Sequence, residues 1–175
     1  MKQLLARIIG ISLLSVFAVS LAGHAQQSRQ PTPCTAAEHR QFDFWVGEWN
    51  VFNQQGQQVG TNRISRISNG CALLEEWQAA GGSGGKSINF FDAADQQWHQ
   101  LWVGGDGTVL RIAGTVKDRA MQLAGGDRKT PRGTVRDRIT WTPQNDGAVE
   151  QRWDISTDGG ATWTTGFVGV YRRKR

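Results

Sequence analysis

From Gly47 onward the chain is cut into short apolar or alternating runs by clusters of Gly, Asn and Asp, and no apolar pattern at helical spacing persists for three turns. Such a chain buries itself as antiparallel sheet. Ten strands are predicted, at 47–53, 59–67, 72–78, 87–91, 98–103, 109–116, 120–124, 134–141, 148–156 and 162–172. Connections such as 53–56, 68–70, 104–107 and 145–147 are short and rich in residues that tolerate positive φ, which suits up-and-down neighbours. Parallel crossovers would need far longer links. An open sheet of this width leaves two unpaired edges, and closure removes them. The expected fold is therefore all-β, an up-and-down antiparallel β-barrel of about ten strands, with a two-sheet β-sandwich as the alternative. Arg136, Arg138, Arg152 and Asp154 alternate where a lipid-facing band requires apolar residues, so stable membrane insertion is not expected.

The first 25 residues carry Lys2 and Arg7, then an apolar run from Ile8 to Leu21, then small residues around Ala25. This pattern is that of a signal peptide cleaved near Ala25, and the run is shorter than the ~20 residues of a spanning helix. The predicted layout is a signal peptide at 1–25, a flexible leader at 26–37 and one barrel domain at 38–175, destined for the periplasm or the exterior. Within the start of that domain, 35–44 is predicted as a short helix, with Thr35 as N-cap and Glu38 as its capping-box partner. Cys34 and Cys71 are the only cysteines, and an even count in an exported chain predicts one disulfide.

Loss of Lys2 and Arg7 lowers the formal net charge from +5 to +3, and the remaining cations are interleaved with Asp and Glu. Only Arg172 to Arg175 form a basic run, too short to make a nucleic-acid groove, so no nucleic-acid partner is expected.

The segment Phe42-Asp43-Phe44-Trp45-Val46-Gly47-Glu48-Trp49 places Gly-x-Trp at the first strand. It resembles the opening motif of lipocalins and their calycin relatives, in which the Trp packs across the closed end of the barrel beneath an Arg from the last strand. The resemblance implies that Gly47 and Trp49 are structural and that Arg172 or Arg173 covers the ring. A longer pattern adds Asn69-Gly70-Cys71 to Trp77, Lys86 to Asp92, Trp98 to Val103 and Arg138 to Pro143. Together these resemble an uncharacterised family of secreted bacterial proteins with the FDFWVGEW signature, over roughly residues 38–173. That likeness implies a lipocalin-like barrel and no established activity.

Two further motifs are read as structural, and the histidines as neither metal ligands nor catalysts. Residues 80–87 fit a relaxed phosphate-binding loop, but the chain continues as a strand where a P-loop requires a helix, so the segment is a Gly and Ser loop at the barrel mouth. Ser156-Thr157-Asp158-Gly159-Gly160-Ala161-Thr162-Trp163 matches the spacing of the Asp-box hairpin of sialidases, but occurs once, so Asp158 and Trp163 are expected to staple a turn. His39 and His99 lack tight ligand spacing with the cysteines; no metal, no cofactor and no catalytic residue are assigned.

Strand alternation sets Glu75 with Trp77, Ser87 with Asn89 and Phe91, Gln100 with Trp102, Arg138 with Thr140, and Gln151 with Trp153 on common faces. If these faces point inward they line a pocket of aromatic planes and a few polar groups. The candidate ligand-binding residues are Glu75, Trp77, Asn89, His99, Gln100, Trp102, Arg138, Gln151 and Trp153. The opposite assignment puts Ile88, Phe90, Leu101 and Val103 inside. The leading functional expectation is an exported lipocalin-like binding protein for a small hydrophobic or amphipathic ligand. The alternatives are a barrel enzyme, an isomerase or hydrolase using Glu75 or His99 with Arg138, and an envelope protein whose barrel is filled.

Overall fold

The computed structural model describes residues 34–175; the expected signal peptide and the leader up to residue 33 lie outside the described residues. The described residues form eleven strands: β1 Gly47–Phe52, β2 Gln58–Ile67, β3 Ala72–Ala79, β4 Gly84–Asp92, β5 Gln97–Gly104, β6 Val109–Lys117, β7 Ala120–Ala124, β8 Arg128–Thr130, β9 Gly133–Pro143, β10 Val149–Ser156 and β11 Thr164–Arg173. Every pairing is antiparallel, and β9 to β10 together with β11 to β1 closes the sheet. The molecule is a closed ten-stranded barrel with one additional strand.

The additional strand is β8, which the sequence reading does not contain. It pairs with β9 at Gly133 to Val135, on the edge that β7 occupies further along at Arg138 to Trp141. Thus β8 resumes the line of β7 after a break at Gly125 and Gly126. Two glycines and the charged Asp127, Arg128 and Lys129 hide so short a strand from any pattern of alternation. The Gly and Ser loop also proves shorter than expected, because Gly84, Gly85 and Lys86 already belong to β4.

The short N-terminal helix predicted at 35–44 is present as two 3₁₀ turns, Ala37–Arg40 and Asp43–Trp45, rather than one continuous α-helix, and no side chain caps the first of them. The reason lies in tertiary bonds. The Trp98 indole N–H donates to the Glu38 carbonyl at 3.1 Å, and the Trp49 indole donates to the Trp45 carbonyl at 2.9 Å. A continuous α-helix would direct the Glu38 carbonyl to the amide four residues on. Buried indole donors need acceptors, and here they draw the segment across the barrel's end.

This end is closed by aromatic rings. Phe42 stacks on Trp45 at 4.9 Å and meets Trp141 edge-on at 5.1 Å and Trp98 at 5.5 Å, while Tyr171 lies 6.2 Å from Trp49. All are buried. Arg173, rather than Arg172, is the partner of Trp49: its guanidinium carbon lies 4.4 Å from the ring centroid, and Nη1 donates to the Val46 carbonyl. Arg172 points the other way on the strand, 3.7 Å from Asp146. Gly47 is required beneath Arg173, since its φ is +145° and a Cβ there would sit 2.4 Å from Arg173 Nη1.

The Cys34–Cys71 disulfide is formed, joining the start of the described chain to the turn before β3. It is consistent with an oxidising, extracytoplasmic compartment. No helix among the described residues is long and apolar enough to cross a membrane.

Candidate ligand cavity

The strand faces resolve in favour of the polar and aromatic set. Ile88, Phe90, Leu101 and Val103 stand on the outer wall of β4 and β5, 36% to 48% exposed. On the inner side, opposite the aromatic plug, a cavity of about 250 Å³ is lined by Glu75, Trp77, Gln100, Trp102, Gln151 and Trp153, with Leu110, Ile139, Ile155, Gly166, Phe167 and Tyr171 completing its wall.

Its walls depend on glycine. A Cβ on Gly60 would lie 2.5 Å from the Trp77 ring, and one on Gly85 would lie 2.2 Å from the Trp102 ring. The two indoles therefore lie close against bare backbone of the barrel wall, leaving the space between them open. With side chains on those strands the rings would be displaced, and the inward volume is where they would go.

The base of the cavity is a hydrogen-bonded polar belt that crosses six strands. The Tyr171 hydroxyl on β11 donates to Gln151 on β10. Asn62 Nδ2 on β2 lies 3.4 Å from that hydroxyl and donates to Glu75 Oε1 at 2.8 Å. Ser87 Oγ donates to Glu75 Oε2 at 2.6 Å, Asn89 Nδ2 donates to Ser87 Oγ at 2.8 Å, and Gln100 Nε2 donates to Asn89 Oδ1 at 2.8 Å. Below the belt lies the plug; above it lies the cavity.

Glu75 is the centre of this belt. Burial raises its pKa from 4.5 to about 7, and the donors Ser87 and Asn62 offset only part of that shift. Among the described residues no Lys, Arg or His pairs with it. Burial, and then the neighbouring Glu75 carboxylate, also raise the Tyr171 hydroxyl far above the ordinary tyrosine range, so it remains a neutral donor.

A second carboxylate, Asp137 on β9, holds the wall residue Trp153 from behind. Asp137 accepts Arg128 Nε at 2.7 Å and Nη2 at 3.0 Å, and also accepts the Trp153 indole N–H at 3.0 Å. Here the carboxylate is fully matched, and the pair fixes the Trp153 ring in the wall.

Of the nine residues expected at a ligand site, Glu75, Trp77, Gln100, Trp102, Gln151 and Trp153 line the cavity. Asn89 is buried behind them in the belt. His99 and Arg138 stand elsewhere. His99 follows the buried Trp98 and precedes the buried Gln100, so pleating turns it outward. There it stacks on Phe90 at 5.3 Å, and its Nε2 is 2.8 Å from Asp95. Arg138 lies between the buried Asp137 and Ile139 and faces out likewise, bonded to Asp154 at 3.0 Å and resting over the Trp163 ring at 4.3 Å.

The Asp-box forms as a staple. Asp158 accepts the Thr162 amide and hydroxyl and the Ser156 hydroxyl, and these donors hold its carboxyl well below the usual range. The Trp163 indole donates to the Gly160 carbonyl at 3.1 Å.

Asn62, Tyr171, Leu110, Ile139, Ile155 and Phe167 were missed by the sequence reading. Only Tyr171 offered a signal, because it shares the parity of Arg173 and must point inward if Arg173 covers Trp49. Among the described residues one triad of metal-type ligands comes together, Asp92, Asp95 and His99, on the outer surface and apart from the cavity. No family model matches the chain, and neither does any curated protein.

Proposed function

We propose that this chain is an exported, lipocalin-like binding protein for a small hydrophobic or amphipathic molecule, cleaved near Ala25 and released into the periplasm or beyond. The observation that carries the reading is the cavity: a closed barrel whose interior is left partly empty, with aromatic walls and a buried polar base. Such a mixture orients a ligand that has an apolar body and one polar end. At about 250 Å³ it lies just under the ~300 Å³ at which sites for drug-sized ligands begin, so a compact ligand suits it better than a large macrocycle. The disulfide and the leader pattern support export.

Because Trp77, Trp102 and Trp153 line the cavity, occupancy is readable in their emission. Titration with lipid, porphyrin and aromatic libraries, paired with thermal unfolding, is expected to give saturable quenching and stabilisation by compact members. Uniform absence of both overturns the reading.

A barrel enzyme is the second reading, favoured by one observation: a buried carboxyl at the base of a cavity, its pKa raised to about 7, is suited to general acid–base work. His99 and Arg138 are too far outside to assist, so Glu75 alone would carry the proton. Turnover that survives Glu75→Gln excludes it.

A further inference from the structure

We propose that the cavity selects a compact organic cation, an ammonium group on a small apolar or aromatic body, with the Glu75 carboxylate as counter-ion and the rings of Trp77, Trp102 and Trp153 around it. This rests on the binding function proposed above and names its ligand class.

Charge is the first argument. Among the described residues Glu75 is the only carboxylate or cation lining the cavity, and the groups that reach it are neutral: Asn62 from β2 and Ser87 from β4. Tyr171 from β11, Gln151 from β10 and Gln100 from β5 complete its surroundings, and none carries a charge. Arg128, the cation behind the Trp153 wall, is already paired with Asp137 and does not compensate Glu75. A buried carboxylate with no cationic partner is costly, and a ligand that brings the missing charge gains what the fold has left unmade.

Hydrogen-bond balance is the second. An ionised carboxylate offers about four acceptor sites, of which Asn62 and Ser87 fill one on each oxygen. Behind Glu75, Asn62 Oδ1 is buried and has no donor. The belt thus holds more acceptors than donors, and an ammonium supplies up to three donors and accepts nothing. An anionic ligand would set a second negative charge beside Glu75, and a purely apolar one would seal the carboxylate further from water.

The walls are the third argument. Indole faces attract cations, the more strongly where water is excluded. Three indoles and the ring of Phe167 face a cavity whose base is a carboxylate. Recognition by charge at the base and by ring faces along the sides follows directly. Because Glu75 takes up a proton near neutrality, cation binding competes with that proton and tightens as pH rises towards 7.

Three probes of nearly equal shape test this on the full chain: phenethylammonium, 2-phenylethanol and phenylacetate, titrated calorimetrically at pH 8 and pH 5. Phenethylammonium is expected to bind at least tenfold tighter than the alcohol at pH 8 and to lose that preference at pH 5; phenylacetate is expected to be the weakest at pH 8. At pH 6, measured in two buffers of different ionisation enthalpy, the amine releases a proton and the alcohol does not. In Glu75→Gln, with native circular dichroism and cooperative unfolding as the check of its fold, amine and alcohol bind alike. Equal binding of amine and alcohol to the natural chain, or an amine preference that persists in Glu75→Gln, overturns the cation assignment while the small-molecule reading stands. Silence of all three probes also overturns it, and only silence of the wider libraries removes the binding function as well.

Discussion

Replacing Glu75 by Gln should make the protein more stable at neutral and alkaline pH, although it alters the centre of the candidate site. The folded-state pKa is about 7 against 4.5 for the free carboxyl, so between these values the native protein holds a proton that the unfolded chain has released. The native state then binds more protons, and stability falls as pH rises from about 4.5 to about 7, levelling beyond. At ~1.36 kcal/mol per pKa unit, the ionised carboxylate costs about 3 kcal/mol at pH 8. Gln reproduces the neutral form in shape and polarity. Below pH 4 the two proteins should be nearly equal in stability, and at pH 8 the variant should be more stable by about 3 kcal/mol. With a urea slope of ~2 kcal/mol/M, the midpoint would rise by roughly 1.5 M. Asp154 and Asp158, whose lowered pKa values bias stability in the opposite direction, are present in both proteins and cancel in the difference. Urea unfolding of both proteins at pH 4, 6 and 8 is the assay. A difference that does not grow with pH refutes the assignment of Glu75 as an uncompensated buried acid.

Three other perturbations probe the remaining architecture. Gly85→Ala would bring a methyl within 2.2 Å of the Trp102 ring and should swing that ring into the cavity, shrinking it while the strands stay paired; a crystal structure with Trp102 unmoved contradicts the account of the wall. Gly47→Ala should cost ~2 kcal/mol through its positive φ and its collision with Arg173, and part of that cost should vanish in an Arg173→Ala background. Strict additivity in denaturant melts would show that the close approach is not what matters. Removing both Cys34 and Cys71 by Ser should cost roughly 4 kcal/mol in the chain-entropy model, and dithiothreitol should produce the same loss in the natural chain; a loss below ~1 kcal/mol would refute a constraint on the unfolded chain.

Barrel, disulfide, Trp49 cap and most of the inner faces were legible because each has a local signature. Alternation fixes which residues of β3, β4, β5 and β10 share a side, but which side is in follows only from closure, which buries Glu75, Ser87, Asn89 and Gln100 and leaves Ile88, Phe90, Leu101 and Val103 outside. On β9 the signal fails: Arg136, Arg138, Thr140 and Thr142 alternate with Asp137, Ile139 and Trp141, so a reading that sought polar ligands chose the wrong parity. Arg138 faces out because Asp154 and Trp163 hold it there, and both lie on other elements. Asn62 was invisible for a similar reason. β2 reads Gln-Val-Gly-Thr-Asn-Arg-Ile-Ser-Arg-Ile, polar on both faces, and only its register with Trp49 and Trp77 turns Asn62 inward. The uncompensated state of Glu75 is likewise a fact about six strands at once.

The pairing of β1 with β11 also bears on how the chain arrives at this structure. Val46 and Arg173 touch across 127 residues of sequence, so the seam cannot be sealed until the last strand has been laid down. Until then the other strands form a curved sheet with two bare edges, its future interior a wet trough. Folding should accordingly be slow and prone to intermolecular strand exchange, with the final step creating both the seam and the barrel's interior together. A protein built this way has no half-finished cavity: the interior space and the completed fold arrive in a single event.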